Sequence, residues 1–222
     1  MYEKKYSNTQ YDFGNEFSPQ EKLKGDQILQ SNEIKTIIQM IGPHPTINSN
    51  RHKYEIGRLM YFNQMYIDDK LKKQIYDEAY NDGMEQTFRR YLLTKHDNST
   101  VNDLTKFISK CFTENGDYIY ACKKYFDRVR PEYLIPNFKP LIKTPNHPAY
   151  PSGHATQCMY AALMTPYYFN DNANLNIYIS AAHEIAVNRE KAGVHYISDT
   201  NAGYKLATYL ANKKIGSSFY SV

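Results

Sequence analysis

Three short stretches in the second half of the sequence hold residue types that can do chemistry together. Lys123 is followed, after six residues, by Arg130-Pro131. On a helix, seven residues make almost two turns, so both cations would project from nearly the same face, with Pro131 stopping the helix just beyond. Such a pair can grip an oxyanion, although a stretch that also holds Lys124 and Arg128 is by itself more often a solvated basic face. The second stretch is Tyr150-Pro151-Ser152-Gly153-His154, leading straight into an apolar helical run. Ser152 and Gly153 there set a small hydroxyl and unshielded backbone at a helix N-terminus, whose free N–H groups and dipole favour an anion. His154 stands beside it as a proton donor; an ordinary capped helix is an even match for this motif alone. The third stretch is Arg189, five residues, His195, three residues, Asp199. His195 and Asp199 share a face if the segment is helical. An Asp199 that accepts from one ring nitrogen leaves the other with a lone pair able to attack. A helix-end His paired structurally with an Asp is the blander reading.

The three stretches occur once each and in order. Together they supply three cations, backbone donors, a general acid, a nucleophilic imidazole and its orienting carboxylate. Phosphoryl transfer needs that set: charge neutralisation, in-line attack and protonation of the leaving group.

The elements that must position these residues read as helices. Ser18-Pro19-Gln20-Glu21 has the form of a capping box with Pro at the first helical position. Apolar residues recur at helical steps from Tyr54 to Leu93, with a break at Asp82-Gly83. Ser99-Thr100 opens a further helix, Asn115-Gly116 breaks it, and another runs from about Asp117 to Arg128. Residues 131–151 contain six prolines and read as a rigid extended loop with no room for a helix. Beyond it, Ala155–Met164, Leu175–Val187 and Thr200–Lys213 each read as helix. Strand alternation is hard to find. The expectation is one all-α domain over residues 19–222, a single-domain helical bundle with a long Pro-rich active-site loop, preceded by a polar arm over residues 1–18.

Composition narrows the classes. Of 222 residues, 27 are Lys or Arg and 23 Asp or Glu, a mild surplus that suits an anionic substrate and lacks the dense basic stripe of a nucleic-acid binder. The three cysteines, Cys111, Cys122 and Cys158, form no CxxC and point to neither a disulfide framework nor a zinc site. Neither a secretory signal nor a membrane span is evident, so the expectation is a soluble protein in a reducing compartment, the cytoplasm. Tyrosine is overused, with 22 copies against no Trp, so buried hydroxyls will need partners.

On its three blocks the chain resembles the superfamily that groups type 2 phosphatidic acid phosphatases, class A non-specific acid phosphatases and vanadium haloperoxidases. The family's Lys-six-Arg-Pro stands here as Lys123…Arg130-Pro131, its Pro-Ser-Gly-His as Pro151-Ser152-Gly153-His154, and its Ser-Arg-five-His-three-Asp as Asn188-Arg189…His195…Asp199. The surrounding Gly193-Val194-His195-Tyr196 and Ser198-Asp199 fit as well. One position departs: Asn188 replaces the family's Ser. Asn can still hydrogen-bond, so adjustment of the site is expected, not loss of activity. The resemblance implies that Lys123, Arg130 and Arg189, with Ser152 and the N–H of Gly153, bind phosphate oxygens. It implies that His195 attacks phosphorus, Asp199 orients it, and His154 protonates the leaving alcohol and then helps water hydrolyse the phosphohistidine. No metal or other cofactor is implied, and vanadate is expected to inhibit.

The implied activity is hydrolysis of phosphomonoesters, with an acidic to neutral optimum if a protonated His154 is the acid. The partner is then an anionic phosphate ester. Water-soluble esters are the simpler expectation, with peripheral contact to lipid headgroups left open. A vanadium-dependent haloperoxidase is the competing reading, with His195 as vanadium ligand and vanadate as cofactor; those enzymes are usually longer, and their pockets commonly carry a Trp. A non-catalytic phosphate- or headgroup-binding module is the third, and the intact set of acid, nucleophile and orienter argues against it. His147, in the Pro-rich loop, could line the pocket, while His44, His52, His96 and His183 read as surface or core residues.

Overall fold

Short polar side chains start most of the helices, because the first-turn N–H groups have no partner within the helix. The computed structural model describes residue 13 and residues 16–216. Ser18 and Glu21 form the reciprocal capping box of α1 (Pro19–Leu29), with Pro19 at its first position. Then follow α2 (Glu33–Ile41) and α3 (Asn50–Gln64), the latter capped by Ser49. Asp68 caps α4 (Asp69–Tyr80), and α5 (Gly83–Leu92) begins after the expected Asp82-Gly83 break. Asp97 caps α6 (Asn98–Cys111), a residue or two before the Ser99-Thr100 start expected from sequence. After α7 (Gly116–Phe126) and the single turn α8 (Pro131–Leu134), Ser152 caps α9 (Gly153–Tyr168). A short 3-10 turn leads to α10 (Leu175–Lys191), and α11 (Ile197–Ile215) ends on Gly216 in the left-handed conformation. No strand occurs among the described residues, so the architecture is all-α as expected.

The core forms around α9, which is apolar on nearly every side: Ala155, Cys158, Met159, Ala161, Ala162 and Leu163 are all buried. It packs against α10 and α11, and also against α6 and α7. Small residues let these helices come close. A Cβ on Gly203 of α11 would lie 2.9 Å from both the Ser152 carbonyl oxygen and the Ala155 Cβ. The helices α3, α4 and α5 pack on α10, which brings the first half of the chain up to the Arg189 segment. No helix among the described residues is long and apolar enough to cross a membrane.

Three local expectations are corrected. The helix carrying Lys123 ends at Phe126, because Asp127 turns left-handed at φ 43°. Arg128 and Arg130 therefore do not continue it, and Lys123 and Arg130 meet through a turn, not on one helix face. Pro131 opens α8 instead of stopping a helix, since its fixed φ suits a first helical position; the Pro-rich stretch thus holds one helical turn. Finally, α11 begins at Ile197, so His195 precedes it and the pair with Asp199 is not a helix-face pair. Most of the expected N-terminal arm, residues 1–12, 14 and 15, lies outside the described residues. Phe13 and Phe17 pack around the Tyr120 and His147 rings.

Candidate active site

The N-terminus of α9 forms one wall of a cavity of about 660 Å³. Ser152 is fully buried behind it: its Oγ accepts from Ala155 N at 3.3 Å, and its N–H donates to the Asp199 carbonyl at 3.0 Å. Gly153 and His154 line the cavity, and their N–H groups belong to the unpaired first turn. A Cβ on Gly153 would come no nearer than 3.7 Å to the rest of the protein. The missing side chain thus bares backbone to the cavity without being demanded by packing.

Three cations converge on that wall, each tethered differently. Lys123, on α7, is buried and donates to the carbonyl oxygens of Pro148 (2.8 Å), Pro151 (2.7 Å) and, more weakly, Ala149 (3.4 Å). It ties the Pro-rich loop to α7, and burial, then the neighbouring Arg130, pulls its pKa well below the usual range. Arg130 has no exposed surface; its Nε donates to His147 O (2.8 Å) and its Nη1 to Val194 O (2.6 Å), with Nη1 3.4 Å from His195 Nε2. Arg189, near the end of α10, donates from Nη2 to Ile75 O (2.7 Å) and to Glu78 (3.1 Å). Its Nε and Nη1 are buried and have no hydrogen-bond partner. Unpaired buried guanidinium donors are expensive, and Arg189 is among the residues that line the cavity.

His195 and Asp199 come together at the start of α11. Asp199 sits in its first turn and reaches back, accepting from Tyr196 N (2.9 Å) and from His195 Nδ1 (3.1 Å). Burial alone would raise the Asp199 pKa, but the Arg128 guanidinium and then His195 hold it well below the usual carboxylate range. Burial, then Arg130, pushes His195 well down. A neutral ring beside an ionised carboxylate carries its proton on Nδ1, which leaves a lone pair on Nε2.

His154 is held through its Nε2, 3.0 Å from the backbone oxygen of Glu78. Burial and the adjacent Arg189 push its pKa down to about 3. His147 lines the same cavity; Nε2 meets Glu16, while Nδ1 lies 3.1 Å from Arg130 Nη2, and burial, then Lys123, lowers its pKa to about 4. Asn188 is fully buried and its amide donates to both oxygens of Glu78, at 3.2 and 3.0 Å. The one departure from the family pattern thus braces the carboxylate that holds Arg189.

Of the residues singled out from sequence, Lys123, Arg130, Gly153, His154, Arg189 and His195 line one cavity, and Ser152 and Asp199 lie directly behind them. Missed were Glu55, Glu78 and Glu16, which lie far from the motifs and carry no local signal. Arg128, which the sequence places in a basic stretch, is not on a solvated face: it is buried, and its guanidinium lies between Asp199 and Glu55. Cys122 is a buried small side chain whose thiol burial pushes up to about 12.

Residues 105–214 match the sequence model of the PAP2 superfamily. No curated protein matches the chain. Among solved structures it is similar to the first bacterial vanadium-dependent iodoperoxidase, with 18% identity and a TM-score of 0.55 over 79% of this chain and 51% of that one. It thus spans about half the length of that protein. It is also similar to a transmembrane PAP2-type phosphatidylglycerolphosphate phosphatase from Bacillus subtilis, with 15% identity and a TM-score of 0.55 over 87% of this chain and 94% of that one. At such identities the likeness is one of fold. The family match takes in all three motifs, from Lys123 to Asp199, and through it the chain belongs to the PAP2 superfamily.

Proposed function

We propose that the chain is a phosphatase that hydrolyses phosphomonoesters through a phosphohistidine on His195, with protein cations in place of a metal. The observation that carries this reading is the pair of unpartnered guanidinium donors of Arg189, a residue that lines the same cavity as His195. Arg189 Nε and Nη1, the first-turn N–H groups of α9 and the Arg130 guanidinium bind the phosphoryl oxygens. Lys123 adds its charge while holding the loop, and Ser152 shapes the turn. His195 Nε2 attacks phosphorus as the bond to the leaving oxygen breaks, and Asp199 stabilises the cationic ring that results. His154 is neutral in the free protein; a bound phosphate dianion favours its protonated form, which gives its proton to the leaving oxygen. The same ring then takes a proton from the water that attacks the phosphohistidine. Water-soluble esters, in a soluble protein, are the simpler assignment of substrate.

Hydrolysis of p-nitrophenyl phosphate at about pH 6 in excess EDTA tests this directly. Turnover should survive EDTA, be inhibited by vanadate and vanish in His195→Ala. Loss of turnover on adding EDTA, or its survival in His195→Ala, would contradict the reading. The similarity to the iodoperoxidase gives a second arm: peroxide-dependent halide oxidation after vanadate loading, without phosphatase turnover, would favour the haloperoxidase reading instead.

A further inference from the structure

Asp199 has no exposed surface, and a carboxylate out of water needs a counter-charge. A neutral His195 cannot provide it. Arg128 does: its Nη1 donates to Asp199 Oδ1 and to Ser198 Oγ (2.7 Å), and its Nη2 donates to Glu55 Oε2 (2.8 Å). The guanidinium lies 3.8 Å from the centre of the Tyr196 ring. The other Glu55 oxygen accepts from Ser198 N at 3.0 Å, so Glu55 also fixes the first turn of α11, from which Asp199 projects. Glu55 is on α3, outside the stretch that matches the family.

We propose that Glu55 and Arg128 are positioning residues of the reaction, holding Asp199 ionised and aimed at His195 Nδ1 so that Nε2 presents its lone pair to the phosphoryl group. The inference rests on the phosphohistidine reading. The chain Glu55–Arg128–Asp199 carries one net negative charge, which favours the ring's passage from neutral to cationic as the phosphorus–nitrogen bond forms. Arg128→Met removes a positive charge beside Asp199 and so raises the proton affinity of His195. Glu55→Gln removes a negative charge, strengthens the pull of Arg128 on Asp199 and lowers it. The other charged or titratable groups facing this chain, His44, His52, Lys123, Arg130, Tyr150 and Glu190, are the same in both variants. A merely structural role moves both variants alike.

The test follows the ring nitrogens of His195 by nitrogen-15 NMR against pH in the full chain, assigned with His195→Asn, beside kcat and KM for p-nitrophenyl phosphate. In Arg128→Met the ring pKa should rise by about one unit or more. Its kcat should fall about 100-fold while KM stays within about threefold, because the oxyanion donors are untouched. In Glu55→Gln the ring should stay neutral to at least as low a pH as in the wild type, with a lower kcat. Arg128→Lys keeps the charge without the fork and should recover about tenfold in kcat over the Met variant. If the Met variant does not fold, Arg128→Gln, which also removes the charge but keeps a side-chain donor, must show the upward ring shift at unchanged KM. Ring shifts of the same sign in the Arg128→Met and Glu55→Gln variants, or a loss carried by KM, would overturn the proposal. Absence of wild-type turnover would sink the phosphatase reading, and the ring titration would still judge the charge chain by itself.

Discussion

Asn188 spans both oxygens of Glu78, and Glu78 in turn holds Arg189. Serine at that position is shorter and offers one donor where the amide offers two. Asn188→Ser, which restores the family residue, is therefore expected to lower stability by about 1–3 kcal/mol, read by urea unfolding. Unchanged or increased stability would remove Glu78 from the account of the site. Arg189→Lys should leave a folded protein and lower kcat/KM about 100-fold, since an ammonium replaces two fixed donors with a point charge. At this scale the sequence is legible where spacing carries the chemistry. Lys123, Arg130, His154, Arg189, His195 and Asp199 all follow from three local patterns. Glu78 does not, because its bond to Asn188 joins residues 110 positions apart and neither end is marked by its neighbours.

Helix packing sets how closely the α9 turn meets the rest of the site. A Cβ on Gly203 would press on the Ser152 carbonyl and lie 3.1 Å from Thr156 N, and backbone at a helix start cannot move aside locally. Gly203→Ala should displace the Ser152–His154 turn and cut kcat at least about tenfold with helix content retained, measured by circular dichroism beside the assay. Gly57, in the middle of α3, has nothing within 4 Å of its would-be Cβ. Gly57→Ala should raise stability by about 0.5–1 kcal/mol and leave activity alone. The capping box of α1 and the apolar run of α9 are written locally and are found as expected. The chain path after Lys123 is not, because a left-handed Asp127 ends α7 early and nothing in an Asp fixes that choice. Arg130 reaches the cavity through tertiary bonds to the His147 and Val194 carbonyls, which helix periodicity cannot reveal.

For the whole molecule, His147, His154 and His195 make stability depend on pH. The pKa of His147 is lowered to about 4, that of His154 to about 3, and that of His195 also well down. In the unfolded chain each returns to about 6.5. Below that pH the unfolded state binds protons that the folded state refuses, so stability falls as pH drops from about 6.5 towards 4, by about 1.4 kcal/mol per pH unit for each group. Asp199 has the opposite starting point, a lowered carboxylate pKa, so its contribution is present above about pH 4 and is lost only below it. Urea midpoints at about pH 7 and pH 5 should differ in that direction; equal midpoints would mean that the histidines are not held neutral. The first half of the chain, read from sequence only as a polar arm and helices, supplies Glu16, Glu55 and Glu78, which back His147, Arg128 and Arg189 respectively.

The most direct measurement is to mix the full chain with a phosphomonoester in excess EDTA, quench within the first turnover, and map any phosphoryl adduct by mass spectrometry under alkaline conditions that preserve phosphohistidine. The account predicts a transient adduct on His195, lost in His195→Ala and accumulating in His154→Ala when the leaving group needs no proton. Turnover without an adduct, or an adduct on any other residue, would contradict it.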